Sequence, residues 1–382
     1  MKKVLTVVGV AVIALSTMSL GASAGALAEA TSSALGGIEF GGFLDLSWTY
    51  NFQTPDLPFG QGSNNSNVGR VFDVDNEDLV NINLLNFYID NLPEDSGEVG
   101  FRVDFGYGED ANIIAGNDGI GANNLDLYQL FISYIAPVGN GLTIDVGRFA
   151  SWYGYEAIES LKNDNFSRSF MFGLSYPHTH TGIRATYSIN DMWEVSGGVT
   201  QGWDTVEDIN DSKSFHFAVR FRPTEEIYVQ NAISYGPERF NDNSNYRFLY
   251  DLVATWNVTE DWTIGANFDY GFDEDAIAAG TDDASWWALA GYVRYDVNED
   301  VYLALRGEYF GDDDSWATPQ PGVGASDNLW EITATAGYQI TEDLLGRLEY
   351  RHDEADGDIF WDDNIRDQDS QDTIALEVIY QF

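Results

Sequence analysis

From residue 39 to the C-terminus, apolar side chains recur at every second position in segments of about 10–13 residues, with polar or small residues between them. Val301, Leu303, Leu305, Gly307 and Tyr309 form one row, and Tyr302, Ala304, Arg306 and Glu308 the other. The last segment sets Ile374, Leu376, Val378, Tyr380 and Phe382 against Ala375, Glu377, Ile379 and Gln381. A period of two is that of a strand, whose successive side chains leave opposite faces, and no helical 3.6 period competes with it. Sixteen strands are predicted, near 39–52, 79–91, 98–107, 124–136, 141–152, 180–189, 192–202, 213–222, 225–236, 246–258, 261–272, 285–297, 300–311, 328–340, 342–353 and 371–382. Short turns such as Asn190-Asp191, Thr259-Glu260-Asp261 and Asn298-Glu299-Asp300 alternate with longer segments rich in Asp, Asn, Gly and Ser. Turn residues of this kind close hairpins.

Strand length decides what these hairpins build. Globular strands usually run ~5–6 residues, whereas a tilted strand crossing a bilayer needs ~9–11. Short turns on one side and long loops on the other are the habit of outer-membrane barrels. Trp48, Tyr50, Tyr107, Trp152, Trp193, Trp262, Trp287, Tyr295, Trp330, Tyr338 and Tyr380 stand near strand ends, as two interfacial girdles would. In hydrocarbon every backbone N–H and C=O must be paired, so the first and last strands have to meet. The expected fold is all-β, a 16-stranded antiparallel transmembrane β-barrel. The even strand count puts both termini on the short-turn side, which is periplasmic. A secreted sandwich or propeller accounts less well for the strand length.

Met1-Lys2-Lys3, the uncharged stretch Val4 to Leu20, and the Ala22-Ser23-Ala24 and Ala26-Leu27-Ala28 sites read as an export signal. The expected division is a signal peptide over 1–28, cleaved near Ala24 or Ala28, and a barrel domain over 29–382. Lys and Arg number 18 against 62 Asp and Glu, a formal charge of −44, and Cys is absent. Nucleic-acid binding through a basic surface is thereby excluded, as are thiolate metal sites and Cys nucleophiles. His178 and His180 have a spacing that could serve a metal, but hydrogen bonding explains them more simply, and no motif singles out a catalytic group. Neither an enzyme, a cofactor nor a metal centre is expected. Acidic clusters at Asp73–Asp78, Asp273–Asp275 with Asp282-Asp283, Asp312–Asp314 and Asp353–Asp372 fall on the long-loop side. They suggest an anionic outer surface that loosely holds Ca²⁺ or Mg²⁺.

Sixteen strands make a barrel wide enough to hold water. The polar rows give the expected pore lining: Arg102, Asp104, Asp145, Arg184, Arg220, Arg294, Arg306, Glu308, Arg347 and Glu349. The third long loop, 153–179, carries Tyr153, Tyr155, Phe166, Phe170, Phe172 and Tyr176, and an exposed loop has no reason to be so apolar. It is expected to fold inward and narrow the channel, bringing Glu156, Glu159, Lys162, Asp164 and Arg168 to the constriction. Alternation breaks at Gly147-Arg148-Phe149, as a bulge ahead of that loop would make it.

Gly147-Arg148-Phe149, Gly154-Tyr155-Glu156, Asn165-Phe166-Ser167-Arg168-Ser169 and Pro177-x-x-His180-Thr181-Gly182-x-Arg184 resemble the outer-membrane β-barrel porin-2 family (OmpL-like). The specific similarity spans about 40 residues, and the barrel pattern extends it across the rest. The resemblance implies an outer-membrane porin in which Arg168, His180 and Arg184 anchor the third loop. Terminal Phe382 is similar to the signal read by the barrel-assembly machinery. The expected function is passive diffusion of small hydrophilic solutes, with cation preference from the acidic excess. The expected surroundings are outer-membrane lipid and lipopolysaccharide, and a homo-oligomer is compatible with the pattern. The alternatives are a substrate-specific channel for a sugar, peptide or organic acid, and a non-transporting structural or adhesive barrel.

Overall fold

Sixteen long strands pair antiparallel with their sequence neighbours, and the last returns to the first. The computed structural model describes residues 37–55, 66–74, 79–115, 124–277, 282–312, 314, 328–363 and 365–382. The export segment 1–28 and the acidic positions 75–78 and 313 lie outside the described residues. The strands are β1 (Glu39–Asn51), β2 (Asn81–Asn91), β3 (Val99–Tyr107), β4 (Leu125–Ala136), β5 (Leu142–Ala150), β6 (Thr179–Ser188), β7 (Trp193–Thr200) and β8 (Ser214–Thr224). They continue with β9 (Ile227–Gly236), β10 (Arg247–Asn257), β11 (Trp262–Ile277), β12 (Asp282–Asp296), β13 (Val301–Gly311), β14 (Asn328–Thr341) and β15 (Leu344–Ala355). A small separate hairpin, β16 (Phe360–Asp362) and β17 (Ile365–Gln368), occupies the last long loop before β18 (Ser370–Gln381) closes the barrel.

Closure is a full ladder. β1 pairs β18 from Phe43↔Gln381 to Asn51↔Thr373. Gly42 and Phe382 add reciprocal N–H···O bonds of 3.1 and 3.0 Å beyond it. No edge is left for lipid to meet, which is the condition for crossing a bilayer with strands.

The two faces separate as the alternation requires. In β14, Glu331, Thr333 and Thr335 are buried while Ile332 is exposed, and β13 and β15 repeat the rule. Leu305, Leu348 and Leu376 point outward. Rings stack at strand ends on that face, as in Trp193–Phe221 (4.2 Å) and Trp262–Tyr295 (4.5 Å). Trp152, expected in a girdle, is buried instead, edge-on to His216 at 5.4 Å and beneath the Arg184 guanidinium.

Two further expectations need correction. Arg148 and Phe149 are both buried, but the β5–β6 register runs unbroken through them; the irregularity is across the sheet, between Asp104 and Gly106 in the β3–β4 ladder. Gly147 stands at φ +140°, and a Cβ there would lie 2.2 Å from the Leu130 carbonyl, so a glycine carries this distortion. The second correction concerns the wide, wet lumen. Phe72 of the first long loop, Ile114 of the second, Phe170 and Met171 of the third and Phe360 of the last pack with wall residues Leu84, Tyr128, Trp286 and Phe310 into an apolar core. A large part of the barrel interior is therefore filled with protein. Helices α1 (Glu109–Ala115) and α2 (Phe170–Leu174), and a 3₁₀ turn at Ser160–Lys162, belong to these loops. At 3–7 residues each they are too short to show a period.

Candidate functional site

The third long loop runs through the barrel interior between opposed walls. Its N-terminal limb is held by β10 and β11: Gly154 N–H donates to Asp251 Oδ2 at 3.1 Å, and Tyr155 N–H to Asn267 Oδ1 at 2.8 Å. The Tyr155 ring stacks on Tyr292 of β12 at 4.0 Å. Farther on, the Ser160 hydroxyl donates to Asp45 of β1, and the Asn165 amide to Thr335 of β14 at 2.7 Å.

Between Phe166 and Met171 six consecutive backbone N–H groups are taken up by carboxylates. Glu349 of β15 receives Phe166 and Ser167 (2.7 and 3.0 Å), and Asp73 of the first loop receives Arg168 (3.1 Å). Glu156, within the third loop, receives Ser169 (3.0 Å), and Glu308 of β13 receives Phe170 and Met171 (2.7 and 2.5 Å). The last two are the unpaired donors at the start of α2, which favour a negative partner. Ser169 caps the same turn, accepting from Phe172 N at 3.0 Å.

Guanidinium groups take up the loop's carbonyls. Arg306 donates to Ser167 O (2.5 Å) while bridging Glu331 (2.6 Å) and Glu156 (2.8 Å). Arg347 donates to the carbonyls of Ser160 and Asn163 and pairs Glu377 at 2.9 Å. Arg351 donates to Arg168 O at 2.5 Å and pairs Asp353, which also binds Arg70 of the first loop.

These contacts revise the roles read from the alternation. Arg306, Glu308, Arg347 and Glu349 do face inward, but the third loop covers them and they are buried, so they hold the loop instead of meeting channel water. Arg168 is also buried, donating to Asp110, the Ile158 and Phe166 carbonyls and the Ser160 hydroxyl. It braces the loop from within, as Glu156 does. His180 sits at the loop's base, 3.5 Å from Ser151 Oγ and 4.4 Å from the His216 ring. Asp164 pairs Arg294 at 2.8 Å, and Lys162 pairs Glu159 at 3.2 Å.

Of the expected wall residues on the other side, Arg102 and Arg220 keep contact with open space, while Asp104 and Asp145 are buried. A cavity of about 480 Å³ lies between the third loop and strands β3–β5, β8 and β9. Arg102, Gln129, Lys162, Arg220, Tyr228 and Gln230 line it with the loop segment 150–159. Arg102 pairs Asp90 and Asp104, Arg184 pairs Asp145, and Arg220 pairs Glu194, at 2.6–3.0 Å.

The long-loop side carries a group the sequence did not single out. Glu238, between β9 and β10, accepts Trp203 N–H at 2.8 Å and the Ser214 hydroxyl at 2.5 Å. Arg247, beside it, pairs Asp273 and covers the Trp203 ring at 4.7 Å. Burial pushes the Glu238 carboxyl up to about 7, against the pull of Arg247 and the two donors. An acid raised in the folded state keeps its proton longer there. The packed loops are therefore favoured most at low pH, and that advantage falls as pH rises from about 4.5 through about 7. Thermal midpoints between pH 5 and 8 should show this slope in the native chain. Glu238→Gln should flatten it; an unchanged slope would rule out this carboxyl as its source.

No curated protein matches the sequence. Solved structures do match in fold. The outer membrane channel DcaP of Acinetobacter baumannii superposes with a TM-score of 0.60 at 12% identity, covering 90% of this chain and 97% of its own. The trimer form of OmpT, an outer membrane protein of Vibrio cholerae, gives 0.61 at 11% identity, with 90% and 99% covered. An anion-selective porin from Comamonas acidovorans gives 0.63 at 10% identity, with 90% and 99% covered. Residues 37–382, the whole closed barrel, match the model of the family described as "Putative beta-barrel porin-2, OmpL-like", and the chain belongs to that family of outer-membrane porins.

Proposed function

We propose that the chain is a passive diffusion channel for small hydrophilic solutes, narrowed by its third loop and preferring cations. One observation carries this reading: the loop is fixed to β1 and β10–β15, and polar cavities stay open beside it, about 480 Å³ toward β3–β5, β8 and β9 and about 450 Å³ between Leu161–Asn163 and β12–β15. Size selection then falls to the gap between loop and wall. The cation preference rests on how the arginines are used. Arg102, Arg294, Arg306 and Arg351 each contact two carboxylates, so these four inward arginines are neutralised, while the acidic loops keep their excess. Such a mouth concentrates cations within ~8–10 Å at ordinary salt.

In this reading both termini are periplasmic, the girdled face meets lipid and lipopolysaccharide, and no catalytic step is assigned. Assembly is as a homo-oligomer, a proposal supported by the Vibrio cholerae protein named in a trimer form. Filling of the interior favours a restrictive channel, selective for a sugar, peptide or organic acid, over a wide general pore. Reconstitution in a planar bilayer under a salt gradient tests both points. The expected result is a reversal potential of cation sign. Anion sign would overturn the preference, and absence of conductance would overturn the channel in favour of a structural barrel.

A further inference from the structure

The cavity beside the third loop has a polarity opposite to that of the loops above it. In two of its ion pairs the cation faces the space and the carboxylate stands behind. The Lys162 side chain is 62% exposed and its partner Glu159 10%. Arg102 is 22% exposed, and its partners Asp90 and Asp104 are 11% and 0%. Arg220 commits Nε to Gln230 and Nη1 to Glu194 and Ser196, and Nη2 has no partner among the described residues. Lys162 has one partner for three N–H donors. The Gln129 and Gln230 amides border the same space.

Resting on the channel reading above, we propose that this cavity is a binding subsite for the carboxylate of a small zwitterionic solute, of amino-acid to dipeptide size. The unused donors of Lys162 and Arg220 receive the carboxylate, a charge-assisted geometry stronger than a neutral one. A solute carrying only negative charge meets the acidic loops first and is repelled there. One that also carries an ammonium group passes that field. At about 480 Å³ the space falls within the ~300–1,000 Å³ of small-molecule sites. The wall arginines buried under the third loop, Arg306 and Arg351, are excluded from this role, since the loop seals them from the cavity.

The test uses the full-length barrel in a planar bilayer, with ion current read against added alanylalanine. The dipeptide should reduce the current saturably. Its C-terminal amide, which lacks the carboxylate, should not. The N-acetyl form, which lacks the ammonium, should bind more weakly than the dipeptide. Lys162→Gln should weaken dipeptide binding about tenfold, and Lys162→Arg should restore most of it. Lys162 is exposed, so these variants should fold, with a guanidinium-chloride unfolding midpoint equal to that of the native chain as the check. Equal effects of dipeptide and amide, an undiminished effect in Lys162→Gln, or an N-acetyl form that binds as well as the dipeptide, would each overturn the subsite while leaving a conducting channel in place. Loss of all conductance in the native chain would instead overturn the channel reading, and the subsite with it.

Discussion

Replacing Arg306 with alanine is expected to free the third loop and destabilise the barrel by ~3–5 kcal/mol, the cost of removing one partner from a buried ion pair. The guanidinium is fully buried and holds five groups at once: Glu331 at 2.6 Å, Glu156 at 2.8 Å, the Ser167 carbonyl at 2.5 Å, and the Ser167 and Thr333 hydroxyls at 3.2 and 3.3 Å. Glu156 in turn receives Ser169 N–H, so the loss passes to the start of α2. Glu331 keeps Arg351 at 3.8 Å and Thr333, so the wall survives better than the loop. Two readouts separate these effects. The guanidinium-chloride unfolding midpoint should fall, and single-channel conductance should rise as the loop leaves the wall. Arg306→Lys keeps the charge but not the fork, and should recover only part of each. Unchanged conductance with a lowered midpoint would confine Arg306 to stability; no change in either would remove it from the loop's support.

The barrel was far more legible in the sequence than its contents. Strand identity follows from local alternation, and rows such as 301–309 hold their period through the whole strand because lipid on one face and protein or water on the other impose it at every step. Two strands run longer than the pattern suggested: β11 extends to Ile277 and β12 begins at Asp282, because Asp273 pairs Ala284 and, past a register shift, Ile277 pairs Asp282 above the apolar zone. The filling of the interior is different in kind. Arg70 meets Asp353 across 283 positions, and Phe166 meets Glu349 across 183. Neither pairing leaves a periodic trace. The apolar residues of the third loop were readable as an inward segment. Phe72 and Phe360, in loops dominated by Asp, Asn and Gly, were not, because apolar runs as short as Val71-Phe72 and Ile359-Phe360-Trp361 carry no direction.

The same limit explains the misread arginines. Alternation tells which face a side chain leaves from, not what lies opposite. Arg220 and Arg306 occupy equivalent polar rows, yet one borders the cavity and the other is sealed beneath the third loop. The difference is made by the segment 166–171, whose six N–H groups need acceptors once they are removed from water. Glu349 and Glu308 supply them from the wall, and the arginines beside them balance the charge so introduced. The restrictive interior thus arises from the loop's backbone demands as much as from its apolar side chains.

Leu305→Arg should cost ~2–4 kcal/mol in a bilayer, and Tyr309→Arg, four residues nearer the strand's end, only ~0–1 kcal/mol beyond its lost ring contact. Leu305 is 46% exposed at the middle of β13, facing outward. Its cross-strand neighbours on that face are Val293 and Ala334, so an arginine there finds no carboxylate beside it. Tyr309 stands at the girdle, stacked on Trp287 at 5.1 Å, where a guanidinium can reach headgroups. The gradient is the informative quantity. Water outside the barrel would make both substitutions nearly free, and a protein partner covering this face would penalise both by packing. Only hydrocarbon makes the penalty depend on depth. Unfolding midpoints in phospholipid vesicles, converted with a common denaturant slope, measure it. Equal costs at the two positions would show that this face does not meet the bilayer core.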